Sequence, residues 1–131
     1  MSSSVLILVV EDERAIQLIV EEALTDGGYA VQLASSAAEA MVLLDEARAD
    51  YKAVVTDVNL VPSDLTGWDV ARHAREITPD LPIIYMTGAS AHEWGSHGVP
   101  NSVLMTKPFV PAQVVTAVSQ LLNERSSSPL G

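Results

Sequence analysis

The sequence of 131 residues predicts an α/β fold, in which about five helices cover both faces of a doubly wound, five-stranded parallel sheet. Three observations lead to this prediction. Short apolar runs alternate with amphipathic segments along the chain, which is typical of repeated strand–helix units. The first run, residues 5–10, is apolar without alternation, as in a strand that is covered on both faces. Finally, 48% of the residues are hydrophobic, which is enough for one core at this length.

The strands are predicted from the apolar runs, and the helices from apolar residues spaced three and four apart. Strands are expected at residues 5–10, 29–33, 52–56, 82–86 and 102–106. The first helix is expected to turn Gln17 away from the core and to bury a face made of Ile16, Ile19, Val20, Ala23 and Leu24. Gly27 and Gly28 are expected to end that helix in a left-handed conformation.

The later helices carry recognisable start signals. Ser36 and Glu39 form a capping-box pattern before the second helix. Thr66 is predicted to cap the third helix, on which Arg75 is expected to belong to the solvated face. Residues 89–101 contain two glycines and a proline, so they leave room for one short helix at best. Pro111 is expected to begin the last helix.

The length of the chain suits a single domain, which is predicted to span residues 4–124. Residues 125–131 lack core residues and are expected to form a disordered C-terminal tail. No basic segment precedes the first apolar run, and that run is far too short to span a bilayer. These features predict a soluble, cytoplasmic protein.

The charge balance limits the possible partners. The formal net charge is −10, from 17 acidic and 7 basic residues. Such a field repels phosphate backbones and anionic membrane surfaces, so neither nucleic acid nor a membrane is an expected partner. The sequence contains no cysteine, which excludes a disulfide scaffold, a zinc–thiolate site and thiol catalysis.

Acidic residues follow two of the predicted strands. Glu11 and Asp12 come after the first strand, and Asp57 comes after the third. Ligands of open parallel sheets bind beyond the carboxyl ends of the strands, so these carboxylates would meet if the two strands are neighbours. Two carboxylates about 4 Å apart repel each other by roughly 4 kcal/mol at an effective dielectric constant of 20. Three therefore require a cation or raised pKa values, and an oxygen-only ligand set favours Mg²⁺.

Two further polar residues follow the last two strands. Thr87 follows the fourth strand and Lys107 follows the fifth. A carboxylate can attack phosphorus to form an acyl phosphate. Lys107 and the metal would neutralise the phosphoryl oxygens, and Thr87 would donate a hydrogen bond to one of them. This set of residues therefore indicates phosphoryl transfer to Asp57.

Four segments in order resemble the response-regulator receiver domain of bacterial two-component signalling, over residues 4–124. They are residues 8–13 (LVVEDE), 54–59 (VVTDVN), 85–88 (YMTG) and 107–109 (KPF). The resemblance implies a flavodoxin-like sheet with strand order 2-1-3-4-5. It also implies a cis peptide bond between Lys107 and Pro108.

The resemblance assigns a role to each candidate site residue. Asp57 would be the phosphoacceptor and a metal ligand, Asp12 a direct ligand of Mg²⁺, and Glu11 a ligand through water. Asn59 would contribute its backbone carbonyl to the metal. Thr87 would move toward the phosphoryl group and Lys107 would contact it.

The family also implies the partners. A histidine kinase or a histidine phosphotransfer protein would donate the phosphoryl group, and an unknown downstream protein would respond to it. Beyond self-catalysed phosphorylation and hydrolysis at Asp57, no enzyme activity is expected, and the protein would be a monomer or a weak dimer. A stand-alone switch, a phosphate sink and a receiver cut from a larger hybrid protein all stay open.

The sequence departs from the family pattern in three places. Leu104 occupies the position where family members often carry an aromatic residue, three residues before the lysine, and Tyr85 would be a partial substitute for it. The loop formed by residues 60–66 is about two residues longer than usual. The fourth helix region is short and rich in glycine.

Three alternatives from other functional classes compete. A receiver that is never phosphorylated would act only as an adaptor. A Mg²⁺-dependent phosphatase of the haloacid dehalogenase type is disfavoured because Asn59 stands where such enzymes carry a second aspartate. A flavodoxin-like cofactor binder is disfavoured because acidic residues follow the first strand, where phosphate binding requires glycines and backbone amides.

Overall fold

The computed structural model describes residues 5–46, 50–62 and 64–126. Five parallel strands form one sheet in the order β2-β1-β3-β4-β5, so the predicted architecture and strand order are confirmed. The strands are β1 (Leu6–Val10), β2 (Ala30–Ala34), β3 (Tyr51–Asp57), β4 (Ile83–Thr87) and β5 (Val103–Thr106). The helices are α1 (Arg14–Asp26), α2 (Ala37–Asp45), α3 (Gly67–Ile77), α4 (Trp94–His97) and α5 (Pro111–Ser126).

Alternate residues of the central strands enter two cores on opposite faces of the sheet. Leu8, Val54 and Tyr85 face the core beneath α2 and α3. Ile7 and Val55 face the core beneath α1 and α5. Because both faces are covered, β1 and β4 are apolar without alternation, which explains why the sequence pattern identified them.

The helix boundaries follow from local hydrogen bonds. Thr66 accepts a hydrogen bond from the backbone N–H of Asp69, and the Asp69 carboxylate accepts one from the Thr66 N–H, so α3 begins with a complete capping box. Ser36 caps α2 through the Glu39 N–H, but the Glu39 carboxylate binds the Ser35 N–H. Gly28, with φ of 96°, supplies the left-handed residue beyond α1.

Two predicted helix faces are wrong in part. In α1 the buried residues are Gln17, Val20 and Leu24, whereas Ile19 is 48% exposed. The inward face of α1 is therefore rotated from the predicted one, and it carries a polar side chain. In α3, Arg75 is only partly exposed, and its guanidinium donates to the carbonyls of Leu81 and Pro100, which ties α3 to the loops before β4 and β5.

The ends of the described chain bear on two other predictions. The helix α5 continues through Ser126, two residues into the segment that was expected to be a tail. Residues 127–131 lie outside the described residues, and the limits of the domain stay a prediction. Across the segments 5–46, 50–62 and 64–126, no helix is long and apolar enough to cross a membrane.

Candidate functional site

The candidate site lies at the carboxyl edge of the sheet, where the strand order reverses between β1 and β3. Glu11 follows β1 directly, Asp57 is the last residue of β3, and Thr87 is the last residue of β4. Lys107 follows β5, and its backbone N–H donates to the carbonyl of Thr87. The fold thus brings four of the predicted residues to one crevice, as expected for parallel sheets.

Three carboxylates form the centre of this crevice. One oxygen each from Glu11, Asp12 and Asp57 can be chosen so that all three atoms lie within 4.8 Å of one another. Glu11 is fully buried, Asp57 is 5% exposed, and Asp12 is half-buried. Buried carboxylates at this separation repel each other strongly, and an oxygen-only donor set suits a hard divalent cation such as Mg²⁺. The residues that are present therefore fit the metal that the sequence predicts.

Lys107 contributes a positively charged side chain to the site. Its ammonium nitrogen lies 3.2 Å from Asp57 Oδ2 and 3.3 Å from Glu11 Oε1. Burial lowers the pKa of Lys107, but the charges of Asp57 and Glu11 outweigh burial and raise that pKa above its usual value. The side chain consequently stays protonated beside the two acids.

The two buried acids have perturbed protonation equilibria. Burial, followed by the charge of Asp57, raises the pKa of Glu11 to about 7. Burial also raises the pKa of Asp57, although the ammonium of Lys107 opposes that shift. Burial is the largest cause of both raised pKa values, and the single ammonium of Lys107 does not offset it. A divalent cation would remove this imbalance.

The loop after β3 closes over the acids. An oxygen of the Asp12 carboxylate accepts a hydrogen bond from the Val61 N–H at 3.1 Å. Asn59 is exposed, and its side-chain oxygen accepts a hydrogen bond from Ser90 Oγ. The structure places Asn59 two residues beyond Asp57, at the rim of the crevice. The predicted role of its backbone carbonyl as a metal ligand stays a prediction.

Thr87 is fully buried, and its hydroxyl accepts a hydrogen bond from the Ser90 N–H at 3.1 Å. Ser90 therefore contacts both Thr87, through its backbone, and Asn59, through its hydroxyl. This places the loop between β4 and α4 in direct contact with two of the predicted site residues. A rotation of the Thr87 hydroxyl away from Ser90 would break this hydrogen bond.

Close packing of α3 fixes the backbone of Asp57. The N–H of Gly67 donates to the carbonyl of Val58 at 2.9 Å. A methyl group at Gly67 would overlap the carbonyl oxygen of Asp57 and would lie 2.8 Å from the Cα of Val58. Only glycine permits this approach. The first residue of α3 thus packs against the backbone of the predicted phosphoacceptor and helps to fix it, a role that no motif in the sequence indicates.

Tyr85 was expected to substitute in part for the aromatic residue that Leu104 replaces. It lies between the sheet and the segment formed by residues 91–99, which contains α4. Tyr85 is fully buried, pairs with Leu104 across β4 and β5, and accepts a hydrogen bond from the Val99 N–H through its hydroxyl. Its ring meets the ring of Trp68 edge-on, with centroids 4.6 Å apart. Trp68 in turn donates to Glu93 at 3.4 Å. The segment 91–99 is therefore held at both ends by side chains that pack beside β4.

An apolar patch lies on α1 beside the start of α5. Leu18 and Ile19 are 46% and 48% exposed, and together with Pro111 they line an open depression of about 470 Å³. Glu22 and Asp26 form an acidic rim. We call these five residues the α1 patch. Apolar surface with a polar rim is one feature of protein-binding surfaces.

The lysine–proline bond after β5 confirms one detail that the resemblance implied. The peptide bond between Lys107 and Pro108 is cis. A second cis bond joins Val61 and Pro62 in the loop after β3, which is also the loop that was expected to be longer than usual.

Residues 89–101 contain a single 3-10 turn, Ala91–Glu93, that runs into the four-residue helix α4, as predicted.

Comparison with known proteins agrees with the fold and identifies the family. Residues 7–119 match the family described as the response regulator receiver domain. Response regulator MprA from Mycobacterium sp. (strain KMS) is 34% identical over 122 residues, which are 92% of this chain and 51% of that protein. Sensor kinase CckA from Brucella abortus is 30% identical over 95% of this chain, which spans 13% of the kinase. The chain thus spans about half of the length of MprA and 13% of the kinase.

Solved structures give the same result. A response regulator receiver protein from Sinorhizobium medicae WSM419 is 47% identical and superposes with a TM-score of 0.90, covering 94% of this chain and 98% of its own. The receiver domain of the Pseudomonas aeruginosa sensor histidine kinase PA1611, which has a magnesium ion in its active site cleft, is 25% identical, with a TM-score of 0.78 and coverage of 92% and 99%. The chain belongs to the response regulator receiver domain family of two-component systems.

Proposed function

We propose that this chain is a Mg²⁺-dependent phosphorylation switch in which Asp57 is the phosphoacceptor. The observation that carries the proposal is the position of the Asp57 carboxylate, 3.2 Å from the Lys107 ammonium and grouped with Glu11 and Asp12. A nucleophile, a cation and a set of metal ligands therefore lie together in one crevice. The adaptor alternative would require none of these groups.

Phosphorylation forms one bond and breaks another. An oxygen of Asp57 attacks the phosphorus of the donor, and an acyl phosphate forms. The bond from phosphorus to the donor breaks, and its electron pair leaves with the donor, either an imidazole or a carboxylate. Because Asp57 attacks as a carboxylate, no base has to remove a proton from it. Positioning and charge neutralisation then account for most of the catalysis.

Each neighbouring group has a separate task in this proposal. Asp12, Glu11 and Asp57, together with the backbone carbonyl of Asn59, would hold the metal, which would neutralise charge on the phosphoryl oxygens. Lys107 would bind one of those oxygens, since its ammonium already contacts Asp57. Thr87 would turn its hydroxyl to another. Support for the metal comes from the oxygen-only ligand set and from the related receiver domain with magnesium in its cleft.

We also propose how the phosphoryl group alters the surface. The Thr87 hydroxyl now accepts from the Ser90 N–H, so its rotation toward Asp57 would release the loop before α4. Two residues earlier on the same strand, the Tyr85 hydroxyl holds the Val99 N–H at the far end of the segment 91–99. The two contacts would couple chemistry at the strand ends to the position of α4. Leu104, which lacks a polar group, would not take part.

The phosphodonor is proposed to be a histidine kinase or a histidine phosphotransfer protein. This rests on the family membership, and the curated relatives include a sensor kinase. The α1 patch supports the proposal, because α1 follows Glu11 and Asp12 directly and exposes Leu18 and Ile19. A partner helix lying on this patch would sit next to the crevice. The downstream protein would contact the surface around α4.

The deciding experiment is the intact mass of the protein after incubation with acetyl phosphate, with Mg²⁺ or with EDTA. We expect a gain of about 80 Da, the mass of one phosphoryl group bound as an acyl phosphate, only when Mg²⁺ is present. Asp57→Asn should show no gain, and Asp12→Ala should require more Mg²⁺. A gain that persists in Asp57→Asn would refute the assignment of the acceptor. No gain in the wild-type protein would favour the adaptor alternative.

A further inference from the structure

Gln17 is a buried polar residue beneath the acidic crevice. Its side chain is 2% exposed and makes three hydrogen bonds. The amide nitrogen donates to the backbone carbonyl of Glu11 at 2.6 Å and to Ser35 Oγ at 3.0 Å, and the amide oxygen accepts from the Arg14 guanidinium at 2.9 Å. Every group of the side chain is therefore engaged with a different part of the chain.

These bonds fix the backbone from which the acids project. The N–H of Glu11 donates to the carbonyl of Ala34 at 3.0 Å, and the carbonyl of Glu11 accepts from Gln17. Ser35, which follows Ala34, accepts the second amide hydrogen. The side chain thus joins the carboxyl ends of β1 and β2, and it holds the peptide group that links Glu11 to Asp12.

The chemistry of the amide is also suited to this position. The other buried residues of α1, Val20 and Leu24, are aliphatic, so burial alone does not require a polar group here. A lysine or arginine at residue 17 would bring a positive charge to the acids and compete with a metal ion. A carboxylate would add to the repulsion among them. An amide donates two hydrogen bonds without changing the charge of the crevice.

We propose that Gln17 is a positioning residue, which holds the Glu11–Asp12 backbone in the arrangement that binds Mg²⁺. This inference rests on the proposed function. It assigns Gln17 no contact with the metal or with the phosphoryl group. Groups that orient metal ligands without touching the metal commonly determine a ten-fold or larger part of the affinity.

The test compares Gln17→Met, which keeps the length of the side chain and removes its hydrogen bonds, with Tyr29→Phe. The control removes a hydrogen bond of 2.7 Å between Tyr29, the residue before β2, and Ser119 in α5, away from the crevice. Mg²⁺ affinity is measured by calorimetry on each folded, metal-free protein, and stability by thermal unfolding in EDTA. We expect both variants to unfold at lower temperature, but only Gln17→Met to bind Mg²⁺ about ten-fold more weakly.

Phosphorylation kinetics give a second measurement. For Gln17→Met, the Mg²⁺ concentration at half-maximal labelling by acetyl phosphate should rise by the same factor, whereas the rate at saturating Mg²⁺ should stay within two-fold of wild type. Should Gln17→Met fail to fold, Ser35→Ala removes one partner of the amide at an exposed residue. It should weaken Mg²⁺ binding by a smaller factor, about three-fold.

The outcomes separate the two proposals. Wild-type Mg²⁺ affinity in Gln17→Met, or in Ser35→Ala if the first variant does not fold, would overturn the positioning role and leave the proposed function intact. An equal loss of affinity in Tyr29→Phe would also overturn it, because the effect would then follow general stability. A wild-type protein that binds no Mg²⁺ would overturn the proposed function and this inference together.

Discussion

The ammonium of Lys107 lies 3.2 Å from the carboxylate of Asp57, although the two residues are 50 positions apart in the chain. The distance is set by the sheet, since β3 and β5 lie on either side of β4 and both end at the same edge. Lys107 also faces Glu11 at 3.3 Å. One cation therefore serves two buried acids, and the consequences of that imbalance can be measured.

Lys107→Met should destabilise the metal-free protein, because Glu11 and Asp57 lose their only cationic contact in the described site. We expect a loss of about 1.5–3 kcal/mol in the free energy of unfolding at pH 8, measured with urea in EDTA. Lys52→Met is the matched control, since Lys52 pairs with the exposed Asp50 and should cost at most about 1 kcal/mol. Equal losses in the two variants would contradict the buried role of Lys107.

The same variant separates metal binding from the phosphorylated response. Mg²⁺ binding to Lys107→Met should be kept or strengthened, because the competing ammonium is gone. The change that phosphorylation causes in α4 should nevertheless be lost, since Lys107 would no longer contact the phosphoryl group. Calorimetry and tryptophan fluorescence, from Trp68 and Trp94, report these two properties independently. A wild-type fluorescence response would exclude the proposed role.

Glu11 should make stability depend on pH. Because burial and the charge of Asp57 raise the pKa of Glu11 to about 7 from 4.5, the folded protein retains a proton that the unfolded chain releases between these values. The metal-free protein should therefore lose stability as the pH rises from about 4.5 to about 7. Urea unfolding at a series of pH values in EDTA should show this slope for the wild type and a flatter one for Glu11→Gln.

The exposed Glu22→Gln is the control for the pH experiment and should keep the wild-type slope. Saturating Mg²⁺ should reduce the slope of the wild type, because the metal favours the ionised carboxylates. A slope that Glu11→Gln leaves unchanged would assign the pH dependence to another group.

Gly67→Ala should damage both stability and phosphorylation. The added methyl group would overlap the backbone carbonyl of Asp57, so α3 or the end of β3 must shift. Overpacking of this kind costs about 1–3 kcal/mol, and labelling by acetyl phosphate should fall because the acceptor moves. Gly95→Ala in α4 is the matched control, because a methyl group there meets no atom within 4 Å. That control should keep wild-type labelling, whereas normal labelling of Gly67→Ala would show that Asp57 tolerates the shift.

Tyr85→Phe tests the link between β4 and the segment 91–99. The substitution removes the acceptor of the Val99 N–H and keeps the ring contact with Trp68. We expect faster amide hydrogen exchange in peptides covering residues 91–99 and a loss of stability of about 1 kcal/mol. Phosphorylation should then produce a smaller difference in exchange across this segment than in the wild type. Unchanged exchange before and after phosphorylation would remove Tyr85 from the proposed coupling.

The sequence predicts the residues that would carry the chemistry of the site better than the residues that hold them in position. Glu11, Asp57 and Lys107 stand at the ends of apolar runs, and strand ends meet in a parallel sheet, so their convergence follows from the pattern. Gln17 could not be found in this way, because a helical spacing of apolar residues assigns a polar side chain to the outer face. The hydrogen bonds that Gln17 makes when it is buried offset the cost of burying a polar side chain. The spacing of apolar residues does not reveal these bonds.

The role of Gly67 could not be predicted from the sequence for a related reason. A glycine after a threonine cap looks like part of a helix start, and its close approach to Asp57 depends on the docking of α3 against β3. The sequence pattern predicts Arg75 on the solvated face of α3, yet its guanidinium donates to the carbonyl of Leu81, six residues on, and to that of Pro100, 25 residues on. Contacts between different helices, strands and loops determine the roles of Gln17, Gly67 and Arg75. These contacts form only when the elements pack together.

The α1 patch has a consequence for how such proteins diversify. Leu18 and Ile19 remain about half exposed, so replacing them removes little buried apolar area and costs little folding free energy. The residues that carry the proposed chemistry, such as Asp57, are buried within the sheet edge and tolerate little change. Under the proposed docking, duplicated copies of the gene can acquire new kinases through drift at the patch while retaining one reaction. Insulation between parallel signalling pathways would then arise without any change in the active site.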